Sequence, residues 1–147
     1  MIQAITILIC SMVLICHGQT RDPDFKRTAP ELIVSRGFKV ESHKVTTEDG
    51  YILTHHRIAN PKLVQPGRPI MVQHGLFSSS RDWIINSPGG HADEPVIEGQ
   101  VVGGNIGFEL AKRGYDVWLT NSRGNTYSRE HVRLNPNRGW SSIAFIS

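Results

Sequence analysis

The apolar and polar positions of residues 29–59 predict a helix followed by a β-hairpin. Pro30 stands near the start of the apolar segment APELIVSRGF and Gly37 near its end, a pattern typical of a short helix with its two termini. Two β-rich segments then flank Asp49-Gly50, a dipeptide that favours a hairpin turn. These residues therefore indicate one helix and two antiparallel strands.

A second unit is predicted further along the chain. The apolar run Ile70 to Gln73 indicates a strand that stops at Gly75. Residues 105–113 have helical periodicity, with Ile106, Leu110 and Arg113 on one face and Phe108 and Ala111 adjacent to it. The run YDVWL then indicates a second strand. A strand, a helix and a strand joined by short links predict a parallel βαβ crossover. The fold class is therefore expected to be α/β.

Residues 86–104, between these strands, are rich in glycine and acidic residues and have no clear periodicity, so a surface excursion is expected. Its glycines match neither the phosphate loop of P-loop proteins nor the dinucleotide-binding pattern. His91-Ala92-Asp93 and His55-His56 lack the spaced partners that a metal site needs. We therefore expect no cofactor and no metal.

The first residues indicate a secretory leader. Ala4 to Cys16 is almost uninterrupted apolar sequence, too short to span a bilayer but typical of a signal-peptide core. Cleavage before Gln19 removes residues 1–18 and with them both cysteines. A buried N-terminal strand or helix is the alternative. We therefore expect the secretory pathway, with an extracellular or lysosomal destination, and no transmembrane segment after leader removal.

The distribution of charge along the chain argues against nucleic acid as a partner. The formal net charge is +3 and the cations are scattered along the chain. Nucleic-acid binding generally needs a clustered basic surface. Nucleic acid is therefore not an expected partner.

Three segments carry a family resemblance. APELIVSRGFKVESHKVTTEDGYILTHHRI, VQHGLFSSSRDWIIN and GFELAKRGYDVWLTNSRGNTYSREHVRLNP resemble, in order, the N-terminal part of the animal acid lipases, which include gastric and lysosomal acid lipase. The resemblance implies the N-terminal portion of an α/β-hydrolase fold, a β-hairpin followed by a βαβ parallel unit, with an incomplete sheet. It divides a partial lipase domain at 19–147 into a lipase-associated region at about 29–90, an insertion-like loop at about 88–104, a βα continuation at 105–136 and a divergent tail at 137–147.

The resemblance also implies a role for His74-Gly75-Leu76. Ester hydrolysis passes through a tetrahedral oxyanion, which N–H donors stabilise, and α/β-hydrolases take one donor from the turn after an early strand. By similarity the donor is the backbone N–H of Leu76, supported by His74 and Gly75, with Gly75 allowing a sharp turn. An alternative makes His74 a catalytic base for one of the serines at positions 78–80. A structural His74 is preferred because those serines lack the strand–serine–helix pattern of a nucleophile.

The segment Asn121 to His131 has two interpretations. It follows the second predicted strand, at the edge where α/β sheets place their sites. Arg123, Asn125 and Arg129 there offer groups for a carboxylate or phosphate. We prefer a structural loop in which Gly124 makes a turn and polar side chains bind backbone groups.

The catalytic residues of such a lipase are not recognisable in the sequence. A serine esterase of this superfamily needs G-x-S-x-G, then an acid, then a histidine. The 147 residues contain no G-x-S-x-G, so no catalytic residue is assigned, and the Ser, Asp and His are expected downstream of Ser147. The chain is then an inactive N-terminal fragment or truncated isoform of a lipase acting on triacylglycerol or cholesteryl esters at a lipid interface. The alternative is a non-catalytic secreted protein that binds lipid or a lipase.

Overall fold

The computed structural model describes residues 22–65, 67–86, 89–99 and 105–137. The predicted leader at 1–18 and residues 138–147 of the divergent tail lie outside the described residues. The helices and strands in chain order are α1 Ala29–Ser35, β1 Lys39–Thr46, β2 Tyr51–Ala59, β3 Pro69–Val72, α2 Ile106–Lys112, β4 Asp116–Leu119 and β5 Glu130–His131. Short 3-10 helices cover Pro23–Lys26 and Ser80–Trp83.

Helix α1 forms where the sequence predicts it, because both of its ends carry local signals. The Thr28 hydroxyl accepts from the Glu31 N–H, while the Glu31 carboxylate accepts from the Thr28 N–H at 2.7 Å. This capping box satisfies two backbone donors at the start of the helix. After the helix, Gly37 takes a φ of +82°, the left-handed conformation that commonly ends helices.

The predicted β-hairpin is also confirmed. Strands β1 and β2 pair antiparallel from Lys39–Ala59 to Thr46–Ile52. The Thr47 N–H donates to the Tyr51 carbonyl at 2.8 Å, which leaves a three-residue loop ending at Gly50 with φ +92°. Asp49-Gly50 is therefore part of a three-residue turn with glycine in the left-handed position.

The α/β class and the βαβ crossover are confirmed. Strand β3 pairs parallel with β4, in register from Pro69–Asp116 to Val72–Leu119, and α2 connects the two. Strand β4 pairs antiparallel with β2, so the sheet of the described residues has the order β1-β2-β4-β3, with β5 also on β2. The sheet is therefore mixed, with β1 and β3 at its two edges.

Both helices contribute to one hydrophobic core against a single sheet face. Ile58 of β2 pairs with Val117 of β4, and both are buried, as is Leu119. The core cluster comprises Ala29, Leu32, Ile33, Phe38, Ile58, Ile84, Phe108, Ala111, Val117 and Leu119. On the alternate positions Arg57 lies 5.5 Å from the Trp118 ring and pairs with Asp116 at 2.6 Å. The sheet thus has one apolar face and one polar, aromatic face.

The residues of α2 that enter the core are those next to the face on which the sequence places Ile106, Leu110 and Arg113. Ile106 is 42% exposed, whereas Gly107, Phe108 and Ala111 are buried. A Cβ on Gly107 would lie 2.8 Å from Cγ2 of Ile84, so the absence of a side chain at this position lets the helix approach. The contact at Gly107 was not predicted, because a pattern of apolar side chains does not include glycine.

The predicted surface excursion is attached to both helices at its first half. The Ala92 N–H donates to the Arg36 carbonyl at 2.8 Å, and Glu94 pairs with Lys112 of α2 at 3.5 Å. Gly90 is buried with φ +95°, and a Cβ there would lie 2.9 Å from Phe108. Residues 96–99 are exposed, as expected for the predicted surface excursion.

Candidate functional site

An open cleft of about 920 Å³ lies where β3 and β4 end. The loops that follow these parallel strands form its walls, which is where α/β sheets commonly bind ligands. Its lining includes residues from both predicted site segments and from the 3-10 helix: Gln73, His74, Gly75, Leu76, Phe77, Ser78, Ser79, Arg81, Asp82, Ser122, Arg123, Gly124 and Asn125, with Leu53 and Ile85. The structure therefore brings residues 73–79 and 122–125 to one place.

The turn after β3 has an unusual conformation at Phe77. The Ser78 N–H donates to the Gly75 carbonyl at 3.3 Å, and Phe77 has φ +60° whereas Leu76 does not have a positive φ. A positive φ at the third residue of a β-turn defines type II geometry and favours glycine there. The left-handed residue of this turn is therefore Phe77, while Gly75 is its first residue. A Cβ on Gly75 would meet nothing within 4 Å, so no neighbouring atom demands glycine.

Leu76 presents a backbone donor without a protein acceptor. In the described part of the chain its N–H donates to no protein atom. Its side chain is 65% exposed and that of Phe77 is 88% exposed, so both apolar groups face solvent beside the cleft. The turn thus places the Leu76 N–H, which has no protein acceptor, next to the exposed apolar side chains of Leu76 and Phe77.

His74 is buried and fully engaged by its neighbours. Its Nε2 accepts from the Ser122 N–H at 3.1 Å, and its Nδ1 lies 2.7 Å from the Gly75 carbonyl. A ring nitrogen that accepts from a backbone N–H carries no proton, so the proton of the neutral ring lies on Nδ1 and is donated to Gly75. This arrangement leaves no ring nitrogen available to activate a serine.

Two of the three serines that follow are engaged locally, whereas the Ser80 hydroxyl has no hydrogen-bond partner in the described part of the chain. The Ser78 hydroxyl donates to Asp82, and the Ser79 hydroxyl accepts from the Arg81 N–H at the start of a 3-10 helix. Ser80 is fully buried. Among the described residues, none of these hydroxyls bonds to His74, so no serine–histidine pair forms at this turn.

In the segment Asn121 to His131 the two arginines contact other parts of the protein and do not converge on one point. Arg123 pairs with Asp49 at 2.5 Å and lies 4.4 Å above the Tyr51 ring, while Arg129 donates to the Pro136 carbonyl. Gly124 takes φ +85° in the turn. The cleft's other arginine, Arg81, donates to the carbonyls of Asp24 and Phe25 at 2.6 and 3.0 Å.

Two asparagines form the centre of this loop. Asn121 is 1% exposed, and its side chain accepts from the Ser80 N–H at 2.9 Å and donates to the Thr54 carbonyl at 2.8 Å. Asn125 donates to Asn121 at 2.9 Å and to Nε2 of His74 at 3.1 Å. The sequence indicated a polar loop but did not single out Asn121, because its partners lie up to 67 residues away.

No group of three potential metal ligands occurs among the described residues. His55 Nδ1 accepts from the Asn121 N–H at 3.1 Å, and His56 is 2% exposed. Burial, followed by the charge of His55, lowers the pKa of His56 to about 4. His56 is therefore buried and His55 is half-buried. Within the described ranges there is also no helix with the length and apolarity of a membrane span.

Residues 29–87 match the family described as the partial alpha/beta-hydrolase lipase region. Lipase member K of the mouse is 41% identical over 119 residues, which are 78% of this chain and 26% of that protein. Lipase lipl-1 of Caenorhabditis elegans is 41% identical over 124 residues, covering 81% and 27%. The tear acid lipase-like protein of Mesocricetus auratus is 31% identical over 133 residues, covering 88% and 30%.

The chain thus spans between a quarter and a third of the length of these relatives. The matched family begins at the first residue of α1 and ends at the excursion, and it includes the hairpin, β3 and the turn at Leu76. The first two of the three segments that carried the resemblance lie within these matched residues. The chain therefore carries the lipase region of the α/β-hydrolases and belongs with the acid-lipase-like proteins.

Proposed function

We propose that this chain is the N-terminal part of a lipase that hydrolyses carboxylic esters of neutral lipids, triacylglycerol or cholesteryl esters. In this proposal the N–H of Leu76 donates to the oxyanion of the tetrahedral intermediate. The nucleophile, acid and histidine come from sequence beyond Ser147. Residues 1–147 alone are then inactive, because an oxyanion donor cannot attack an ester.

One observation carries the proposal: the Leu76 N–H lies beside the cleft and donates to no described protein atom. A backbone N–H that binds no protein acceptor is available to an anionic ligand in the adjoining cleft. The exposed side chains of Leu76 and Phe77 support a lipid substrate, since apolar groups at the cleft can contact acyl chains.

The leader and destination belong to the same proposal. We infer that residues 1–18 direct the chain into the secretory pathway, to a lysosomal or extracellular site. Mass spectrometry of the protein secreted from animal cells tests the leader directly. An N-terminus at Gln19 supports it, and a retained Met1 contradicts it.

The activity is tested by extending the chain. Residues 1–136 are joined to the corresponding remainder of mouse lipase member K, and hydrolysis of a triacylglycerol emulsion is compared with that by residues 1–147. We expect turnover by the extended protein and none by the short chain. Turnover by residues 1–147 would refute the assigned division of roles. Binding of lipid vesicles by the short chain, with an inactive extended protein, would instead favour the non-catalytic lipid-binding alternative.

A further inference from the structure

The hydrogen bonds around the cleft form a directed chain that leads to the Leu76 amide. It begins at Asn121, whose amide orientation is fixed by two backbone groups. The Ser80 N–H can only donate, so it faces Oδ1 at 2.9 Å, and the Thr54 carbonyl can only accept, so it faces Nδ2 at 2.8 Å. Asn121 is therefore held in one orientation by the elements on both sides.

The orientation of Asn125 is fixed in the same way. Its Oδ1 accepts from the Tyr127 N–H at 2.9 Å. Nδ2 is therefore the amide atom that faces Asn121 and His74. Nδ2 donates to Oδ1 of Asn121 at 2.9 Å and to Nε2 of His74 at 3.1 Å. An asparagine held like this offers His74 a donor and no acceptor.

The donor on Asn125 determines which ring nitrogen of His74 carries the proton, and that proton in turn orients the Gly75 carbonyl. Its Nε2 receives donors from Asn125 and from the Ser122 backbone, so its proton is on Nδ1 and is donated to the Gly75 carbonyl at 2.7 Å. Gly75 C=O and Leu76 N–H belong to one trans peptide group, in which the two bonds point in opposite directions. Holding the carbonyl towards His74 therefore directs the N–H away from it.

We propose that Asn125 is a positioning residue for the oxyanion donor: it keeps His74 in the Nδ1–H form, and His74 thereby fixes the direction of the Leu76 N–H. Asn125 touches no substrate in this proposal and acts through His74. The inference rests on the proposed function for its catalytic consequence, whereas the protonation state of His74 is independent of any activity.

The first test is spectroscopic and uses residues 1–147. Nitrogen-15 NMR of the imidazole rings distinguishes a protonated from an unprotonated Nε2. We expect His74 to be neutral, with the proton on Nδ1. Asn125→Asp replaces the donor with an acceptor, and we expect Nε2 of His74 to become protonated. Thr126→Ala, at an exposed neighbouring position, is the control and leaves the His74 signals unchanged.

The second test measures turnover in the chain extended with the remainder of mouse lipase member K. Asn125→Asp should lower kcat about 10-fold, with KM nearly unchanged, because a donor in the wrong direction loses stabilisation of the transition state. Asn125→Ala, which retains the Ser122 donor, should lower kcat less than Asn125→Asp does. A larger loss of kcat in Asn125→Asp than in Asn125→Ala distinguishes a positioning role of the side-chain donor from simple loss of packing.

Two outcomes overturn the inference. A proton on Nε2 of His74 in the unaltered chain would contradict it without any variant, so a failure of Asn125→Asp to fold does not protect it. An Asn125→Asp chain with unchanged His74 signals and unchanged kcat would also contradict it. If Leu76→Pro, which removes the N–H, leaves kcat unchanged, the proposed function fails instead.

Discussion

Phe77 holds a backbone conformation that few bulky side chains adopt. Its φ is +60° while its ring is 88% exposed, so packing of the ring provides little compensation within the described residues. The left-handed conformation costs about 1–2 kcal/mol for a residue with a Cβ. Such strain persists where surrounding structure imposes it, and it often accompanies a binding site. Here it lies next to the proposed donor.

Phe77→Gly should therefore stabilise the chain. Glycine removes the left-handed penalty but has about 0.4–1 kcal/mol more freedom to lose on folding, so we expect a net gain of about 0.5–1 kcal/mol. Urea unfolding of residues 1–147 measures it. Leu76→Gly is the control, because Leu76 has no positive φ, and it should destabilise. Destabilisation by both substitutions would show that Phe77 is not strained.

His56 makes the fold sensitive to acid. Burial, and then the charge of His55, lowers its pKa to about 4, below the ordinary value of 6.5. The folded state binds the proton less readily than the unfolded state, so this contribution to stability is complete above about pH 6.5 and is lost as the pH falls towards 4. Between pH 7 and pH 5 the loss is about 2 kcal/mol.

His56→Leu should flatten the pH dependence of the free energy of unfolding by that amount. The hydroxyl of Ser42, which bonds to Nδ1 of His56, is on an exposed residue and can be hydrated instead. Unfolding by urea at pH 7, 6 and 5 compares the variant with His43→Gln, a change at an exposed histidine. If all three proteins lose the same stability between pH 7 and pH 5, His56 is not the acid-sensitive group.

At the scale of elements, the excursion between β3 and α2 is partly built into the core. Gly90 and Gly99 both have positive φ, at +95° and +75°. A Cβ on Gly90 would lie 2.9 Å from Phe108, whereas one on Gly99 would meet nothing within 4 Å. These two positions separate backbone strain from packing.

Both Gly→Ala substitutions should cost about 1–2 kcal/mol through the left-handed backbone. Gly90→Ala should cost about 1–3 kcal/mol more, because the added methyl group overpacks the core at Phe108. Thermal or urea unfolding measures the difference. Equal losses at the two positions would indicate that residues 89–94 do not pack on α2 as described.

Elements with local signals were predictable from the sequence. Helix α1 has a capping box at Thr28 and a glycine after its last turn, and the hairpin has Asp49-Gly50, so short stretches specify both. The helix α2 was also predicted, but the close approach of Gly107 to Ile84 was not, because it depends on the lack of a side chain. Periodicity counts apolar side chains and cannot register such a contact.

The location of the site was predictable from the sequence, whereas the hydrogen bonds that hold its residues were not. Leu76 and His74 were identified through the family resemblance, and both lie at the cleft. The hydrogen bonds that hold them join His74 to Asn125 and Asn121 to Thr54, pairs 51 and 67 residues apart. Such partners depend on how strands are arranged in the sheet, which no local pattern contains.

At the scale of the whole molecule, β3 is one of the two edge strands of the sheet in the described residues, with β4 as its neighbour. Met71 in this strand is 72% exposed. An edge strand with exposed apolar groups can pair with other chains, and charged residues at such positions oppose this. Residues 1–147 alone should therefore be prone to self-association through β3.

Met71→Lys should reduce this self-association without greatly changing the stability of the monomer. Light scattering of residues 1–147 during incubation at increasing concentration measures it. Val64→Lys, at a loop position that is 95% exposed, adds the same charge away from the edge and is the control. Equal protection by the two substitutions would show that net charge, rather than the edge of β3, governs association.

The central claim is that the Leu76 amide stabilises the oxyanion. Leu76→Pro removes the N–H at the second position of a turn, where proline is favoured, and Leu76→Ala keeps the N–H while removing the apolar side chain. In the chain extended with the remainder of mouse lipase member K, kcat for triacylglycerol should fall about 10²–10³-fold in Leu76→Pro relative to Leu76→Ala. Equal kcat values for the two variants would contradict the claim.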